Sequence, residues 1–266
     1  MFRQLAVACL VCFACGAIAQ NDLAGPHQYP AFRTISGLPG GGFGVRPDGT
    51  PAFDGAMAFS TPIGYSLSNW NGTLSAANTS DYWFFRLPHV SGHNGDVDSL
   101  GKITGCGGVT LGHFGSLSGG FMVISSAGDT AFTVQYQTPL FYKNIGVSAG
   151  VQDTGGTRGD RAGGDPGSEN SQSFYGAVTV PLKYGVYVSG GWGTRRFGKG
   201  FANVSVPINE RFKAVLEEDG LGVNEAIAWD PRAGGSYKLF GRSISTTTMI
   251  GFVDSRYAFW SLNFGM

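Results

Sequence analysis

Arg256-Tyr257-Ala258-Phe259-Trp260-Ser261-Leu262-Asn263-Phe264-Gly265-Met266 is the stretch whose reading decides the fold. At a period of two it divides into an apolar set, Ala258, Trp260, Leu262, Phe264 and Met266, and an opposite set, Tyr257, Phe259, Ser261 and Asn263. That is the pattern of a β-strand with one apolar and one mixed face.

The same alternation recurs upstream. Phe132, Val134, Tyr136, Thr138 and Leu140 oppose Thr133, Gln135 and Gln137, and Ile145, Val147, Ala149 and Val151 oppose Gly146, Ser148, Gly150 and Gln152. Residues 174–182 and 184–192 read as a hairpin across a Lys183-Tyr184 turn, and further strands are expected at 202–208, 211–218, 221–229, 236–241, 244–253 and 257–264. A soluble sandwich also alternates, but its core face varies in size to fill a core. Here the second face is Gly, Ser, Thr or Gln far more often than Lys or Glu, as a narrow lumen requires. A closing strand rich in aromatics resembles the last strand of a bacterial outer-membrane β-barrel. The expected fold is therefore all-β, a transmembrane antiparallel up-and-down β-barrel of roughly 12 strands.

Composition agrees with that class. The chain holds 44 glycines, 20 phenylalanines and 10 tyrosines among 266 residues, with only 14% charged residues and a formal net charge of zero. So much glycine without aromatics would indicate disorder, but aromatics are abundant. No basic excess exists to recruit nucleic acid.

Met1 to Ala19 reads as a secretory signal peptide, with Arg3 in the positive region, an apolar core from Leu5 and small residues at Ala17 and Ala19. A lipoprotein signal acylated at Cys15 is the competing reading. Cleavage after Ala19 would leave Cys106 as the single cysteine, so no intramolecular disulfide is expected. Residues 20–51 form a Gly/Pro-rich N-terminal segment, expected at the barrel mouth or partly inside it, in which Arg46-Pro47-Asp48-Gly49-Thr50 reads as a tight turn. Residues 52–266 are expected to form the barrel, with candidate strands at 52–65 and 67–78.

Candidate site residues follow from the same geometry. Arg211, Lys213 and Glu217 share one face of a strand, and Glu225 lies on the strand expected beside it. A charge facing lipid at mid-depth costs on the order of 2–4 kcal/mol, so all four are expected to face the lumen, bridging the wall or lining a polar path. Tyr82, Trp83, Tyr184, Trp192, Trp260 and Phe264 are expected to form an aromatic girdle. Arg158, Asp160, Arg161, Asp165 and Glu169 fall in a long polar loop between Asp153 and Gln172, expected to be external. Calcium binding there finds no motif spacing, and His89 and His93, flanked by Pro88 and Gly92, do not form a zinc-binding helix. No serine is singled out as a nucleophile beside a histidine, so the chain is read as a non-enzyme with no catalytic, cofactor or metal residues.

Two places resemble the YjbH-like outer-membrane family of barrel proteins associated with exopolysaccharide production and export. One is Gly37-Leu38-Pro39-Gly40 with Pro47-Asp48-Gly49-Thr50; the other is Phe212 to Gly220 followed by Asn224. The resemblance implies a cell-envelope role in the bacterial outer membrane as a narrow pore or an accessory to exopolysaccharide export, with lipid, the barrel assembly machinery and polysaccharide as partners. It assigns no catalytic residues. The rival from another class is a secreted soluble β-sandwich that binds glycan or protein through Tyr82, Trp83 and Trp192.

Overall fold

The structure, a computed structural model, describes residues 34–80, 101–124, 129–155, 172–239, 242–255 and 257–266. Each strand bonds to its sequence neighbour in antiparallel fashion, from β1 (Gly72–Ser80) and β2 (Gly101–Thr110) through β3 (Ser116–Ile124), β4 (Asp129–Gln137), β5 (Gly146–Gln152) and β6 (Ser173–Pro181). The series continues with β7 (Tyr187–Gly193), β8 (Phe201–Pro207), β9 (Phe212–Glu218) and β10 (Val223–Trp229).

Closure uses the last strands. β12 (Arg242–Val253) pairs with β10 through Ile227 opposite Ile250, β13 (Tyr257–Gly265) pairs with β12, and β1 pairs with β13 through Leu74 opposite Phe264. Twelve strands therefore form one closed antiparallel up-and-down barrel, and the two-sheet sandwich is excluded. The remaining strand, β11 (Tyr237–Leu239), pairs only with Arg242–Ile244 and extends the β10–β12 hairpin past the rim.

Burial alternates along the wall with the inverted polarity of a membrane barrel. In β6, Ser173, Tyr175, Ala177 and Thr179 are buried while Phe174 and Val178 are exposed. In β4, Thr133, Gln135 and Gln137 are buried while Phe132, Val134 and Tyr136 are exposed. The decisive stretch divides likewise: Phe259, Ser261 and Asn263 point inward, Trp260 and Leu262 outward. Among the described residues no helix is long and apolar enough to cross a membrane, which leaves crossing by strands open.

The two rims differ. One holds Gly72 and Met266, whose backbones bond to each other, together with tight turns at Gly112–Phe114, Tyr142–Asn144 and Lys183–Gly185. The Gly72 rim also carries residues 230–241 between β10 and β12, and at the opposite rim β1 and β2, and likewise β5 and β6, are separated by 20 residues of sequence each.

The largest departure from expectation concerns residues 52–71. They do not enter the wall, which starts at Gly72. Residues 34–71 instead form one irregular segment, most of it within the barrel, where Ile35, Phe43, Met57, Phe59, Ile63, Tyr65 and Leu67 have no solvent exposure. The candidate strands at 52–65 and 67–78 were misplaced because residues enclosed in a lumen are no less apolar than those of a wall, although residues 55–68 are buried without alternation. Only Gly72 onward of the second belongs to β1.

Candidate functional site

The plug formed by residues 34–71 has little secondary structure, so its backbone groups must find partners elsewhere. Part of the need is met internally. Val45 and Ala56 exchange backbone bonds at 2.8 and 2.9 Å, Ala58 donates to Gly40, and Gly42 donates to Ala58. The turn anticipated at Arg46–Thr50 is present: Gly49 N donates to Arg46 O at 2.9 Å, with Gly49 at φ +80°, a conformation glycine adopts without strain.

From Ile63 to Leu67 the plug makes no backbone–backbone bond among the described residues, and the inner face of the wall supplies side chains instead. Gly64 N donates to Thr179 Oγ1 at 2.7 Å, and Ser66 N donates to Gln137 Oε1 at 2.6 Å. Gln135 Nε2 donates to Tyr65 O at 2.8 Å, and Ser148 Oγ donates to Ile63 O at 2.9 Å. The small and polar inward residues thus act as a ladder for the plug. Irregular backbone at membrane depth is tolerated only where protein or water satisfies it in this way.

The tightest attachment is made by β9. Glu217 accepts from the backbone amides of Phe59, Ser60 and Thr61 at 3.0 to 3.3 Å, from the Ser60 hydroxyl at 2.6 Å and from the Thr61 hydroxyl at 3.0 Å. Asn224 of β10 donates to the same carboxylate at 3.1 Å. Four residues earlier on the same inner face of β9, Lys213 Nζ donates to Gly55 O at 2.6 Å and lies over the rings of Phe53 and Tyr187. A carboxylate and an ammonium from one strand thus hold opposite backbone polarities of the plug.

The other two charges expected in the lumen are placed differently. Arg211 lies in the exposed turn before β9. Glu225 falls on the face of β10 shared with Val223, Ile227 and Trp229, near the rim, where it accepts from Ser255 Oγ at 3.0 Å. Its outward position follows from register: Asn224, Ala226 and Ala228 are the buried set. Proximity to the rim lets a carboxylate stay outside the hydrocarbon depth at little cost.

The expected girdle is also rearranged. Tyr184 sits in an exposed turn on the Gly72 rim, whereas Trp192 lies near the opposite rim with Nε1 donating to Gly198 O at 2.7 Å. Trp260 lies within the wall opposite Asn78 and Ile250, and Phe264 lies nearer the Gly72 rim opposite Leu74 and Thr246. The four belong to different heights, so they form no single belt. The Gly72 rim instead exposes Trp70, Phe114, Phe141 and Tyr142 beside Tyr184, residues masked in the sequence by their position in turns rather than in alternating runs.

Tyr82, Trp83, Arg158, Asp160, Arg161, Asp165 and Glu169, with His89, His93 and the signal sequence, lie outside the described residues. Sequence reasoning missed Ser205 and Asn203 of β8 and Arg196 of the turn before it, which reach Met57 N, Thr61 Oγ1 and Ser60 O. The signal for Ser205 and Asn203 was a polar residue on the face opposite Val204 and Val206, and Arg196, in a turn, gave none. Among the described residues no group of three or more His, Cys, Asp or Glu could hold a metal ion.

A cavity of ≈ 700 Å³ opens at the Gly72 rim between the plug and the wall, lined by Arg46, Asp54, Trp70, Glu210, Asp230 and Arg242 among others. The Asp54 carboxylate accepts from Arg46 Nε and Nη2 at 2.8 Å each, which raises the guanidinium above its ordinary pKa against the opposing effect of burial.

No protein-family model matches the chain, and no curated protein sequence matches it. Among solved structures, an outer membrane channel from Pseudomonas putida F1 is similar over 77% of this chain and 96% of its own, at 13% identity and a TM-score of 0.37. A superposition that loose carries no argument here, and the barrel stands on the strand pairing alone.

Proposed function

We propose that this protein is an outer-membrane β-barrel whose lumen is a conduit kept shut by its own N-terminal segment. The observation that carries the reading is the pair of opposite faces on each strand. Bulky apolar side chains such as Phe132, Val134, Phe174 and Ile250 cover the outside, and the inside is polar and occupied by residues 34–71. An apolar outer band of this kind needs a hydrocarbon solvent. The tight turns at Gly112–Phe114, Tyr142–Asn144 and Lys183–Gly185 support placing the Gly72 rim in the periplasm, with the 20-residue intervals between β1 and β2 and between β5 and β6 on the side of the cell exterior.

A closed lumen makes the resting state non-conducting, and transport then requires the plug to yield. The finer assignment is an accessory role in exopolysaccharide export. It is supported by the resemblance to the YjbH-like family, whose two matching places lie on elements that touch elsewhere along their length: the plug carries Gly37–Gly40 and Pro47–Thr50, and β9 grips that plug at Phe59–Thr61 through Glu217.

The test begins with fractionation of expressing cells and electrophoresis of boiled and unboiled detergent extracts, followed by planar-bilayer recording. Recovery in the outer membrane with heat-modifiable mobility, and a silent wild type that conducts when Glu217 is replaced by Ala, is the expected result. Recovery as a detergent-free soluble protein would sink the reading. For the finer assignment, a deletion strain should lose secreted polysaccharide; unchanged polysaccharide would remove it and leave the barrel untouched.

A further inference from the structure

We infer that the cavity at the Gly72 rim is a binding site for a short, uncharged oligosaccharide, held between the plug and the barrel mouth. Its volume of ≈ 700 Å³ lies within the range of ligand sites, roughly 300–1,000 Å³. The inference rests on the proposed function only for the compartment that the cavity faces.

The lining chemistry selects the ligand. Trp70 presents an indole that is 77% exposed at the cavity edge, and it does so from a left-handed backbone at φ 61°, directly after Asn69 at φ 52°. Two consecutive non-glycine residues in that region are disfavoured and persist only where the surroundings impose them. Here Trp70 N donates to Gly108 O at 2.9 Å, and Asn69 exchanges bonds with the Thr110 hydroxyl at 3.3 and 2.8 Å. The backbone is thus fixed in a form that holds the ring out of the core.

Around that platform the charges are largely balanced. Arg46 and Asp54 neutralise each other, and Asp230 is committed to the amides of Arg232 and Gly234 at 2.8 and 2.6 Å. Glu210 and Arg242 add one charge of each sign. What remains for a ligand is an aromatic face, hydroxyls of Thr50, Ser243 and Ser245, and the paired guanidinium and carboxylate of the plug. A flat apolar face beside a dense set of donors and acceptors, whose two arginines and three acids leave a single net negative charge, matches a neutral sugar ring, whose C–H face stacks and whose hydroxyls bond in both senses. A highly anionic ligand would meet Glu210, Asp54 and Asp230; a simple hydrocarbon would leave the polar wall unpaired. Because Arg46, Thr50 and Asp54 belong to the plug, an occupant would touch the element that closes the lumen.

The experiment is calorimetric titration of the full-length protein in detergent with maltohexaose, cellohexaose and chitohexaose, and with an oligogalacturonate as the charged control. Saturable binding of at least one neutral probe is expected, weakened about tenfold or more by Trp70→Ala and by Asp54→Ala, with the oligogalacturonate binding more weakly. Both variants must retain heat-modifiable mobility. Absence of binding by every neutral probe, or binding that Trp70→Ala and Asp54→Ala leave unchanged, would overturn the inference. Failure of the conduit reading is seen separately, in the fractionation and bilayer recordings, which use neither variant nor probe.

Discussion

Ser60 of the plug donates its hydroxyl to the Glu217 carboxylate of β9 at 2.6 Å, across 157 residues of sequence, and its amide donates to the same group. The carboxylate fills a concavity made by three successive plug amides, those of Phe59, Ser60 and Thr61. Such a cluster of N–H groups is a site for an anion, and here the anion is supplied by the wall. Removing it should free this portion of the plug. Glu217→Ala leaves buried donors unpaired at about 1–3 kcal/mol each for those that water does not reach. The expected outcome is a lower midpoint in urea and bursts of conductance in bilayers; a variant as silent and as stable as wild type would show that the plug is held elsewhere.

Gly64 tests the ladder rather than the carboxylate. A Cβ at that position would lie 2.3 Å from Gly146 O and 2.6 Å from Thr179 N, both backbone atoms that cannot step aside. Gly64→Val should therefore push this stretch of the plug off β5 and β6, break the Gly64 N to Thr179 Oγ1 bond, and destabilise by about 1–3 kcal/mol. By contrast Asp54→Asn, at the exposed pair with Arg46, should cost less than about 1 kcal/mol. Equal effects in the two denaturation midpoints would contradict the close approach.

The contrast between these sites explains what could be read from sequence. Strand positions from β4 onward were legible because period-two alternation is imposed by the wall itself: one face meets an apolar solvent and the other a crowded lumen. The Arg46–Thr50 turn was legible from Pro47 and Gly49. Lys213 and Glu217 fall on one face by spacing alone, but nothing local reveals that they reach Gly55 and Ser60, since those contacts are set by the path of the plug. Residues 55–65 carry the same apolar character as a strand because they too are enclosed, and burial on all sides leaves no period-two trace. Glu225 was displaced outward because its spacing from Glu217 says nothing about the register of β10, where Glu217 pairs with Asn224.

The polarity of the wall gives a prediction independent of the plug. Val134 lies midway along β4, outward and 41% exposed, opposite Gly119 and Val151. Val134→Arg should reduce the free energy of folding into lipid vesicles by about 2–4 kcal/mol if that height is near the bilayer midplane. The same substitution on a soluble barrel would cost almost nothing, because an exposed valine there already faces water. Refolding from urea into vesicles, read by heat-modifiable mobility, distinguishes the two.

Cys106 offers a native reporter of the closed state. Its thiol points inward from β2 at 6% exposure and packs with Val45, Ala56 and Leu67 of the plug. The other cysteines, Cys9, Cys12 and Cys15, fall within the expected signal peptide, so labelling of the processed protein would report one site. In the folded wild type a water-soluble maleimide should react slowly, at a rate set by how often the plug withdraws. Glu217→Ala and Gly64→Val should both accelerate labelling while the barrel keeps its heat-modifiable mobility, because each loosens the plug without touching the pairing of the wall. Asp54→Asn should leave the rate unchanged. Were the thiol to react rapidly in the wild type, the plug would be open for much of the time, and a silent bilayer trace would need a different origin. Were it to stay protected in both loosening variants, Glu217 and Gly64 would hold the stretch they touch without controlling the segment around Cys106.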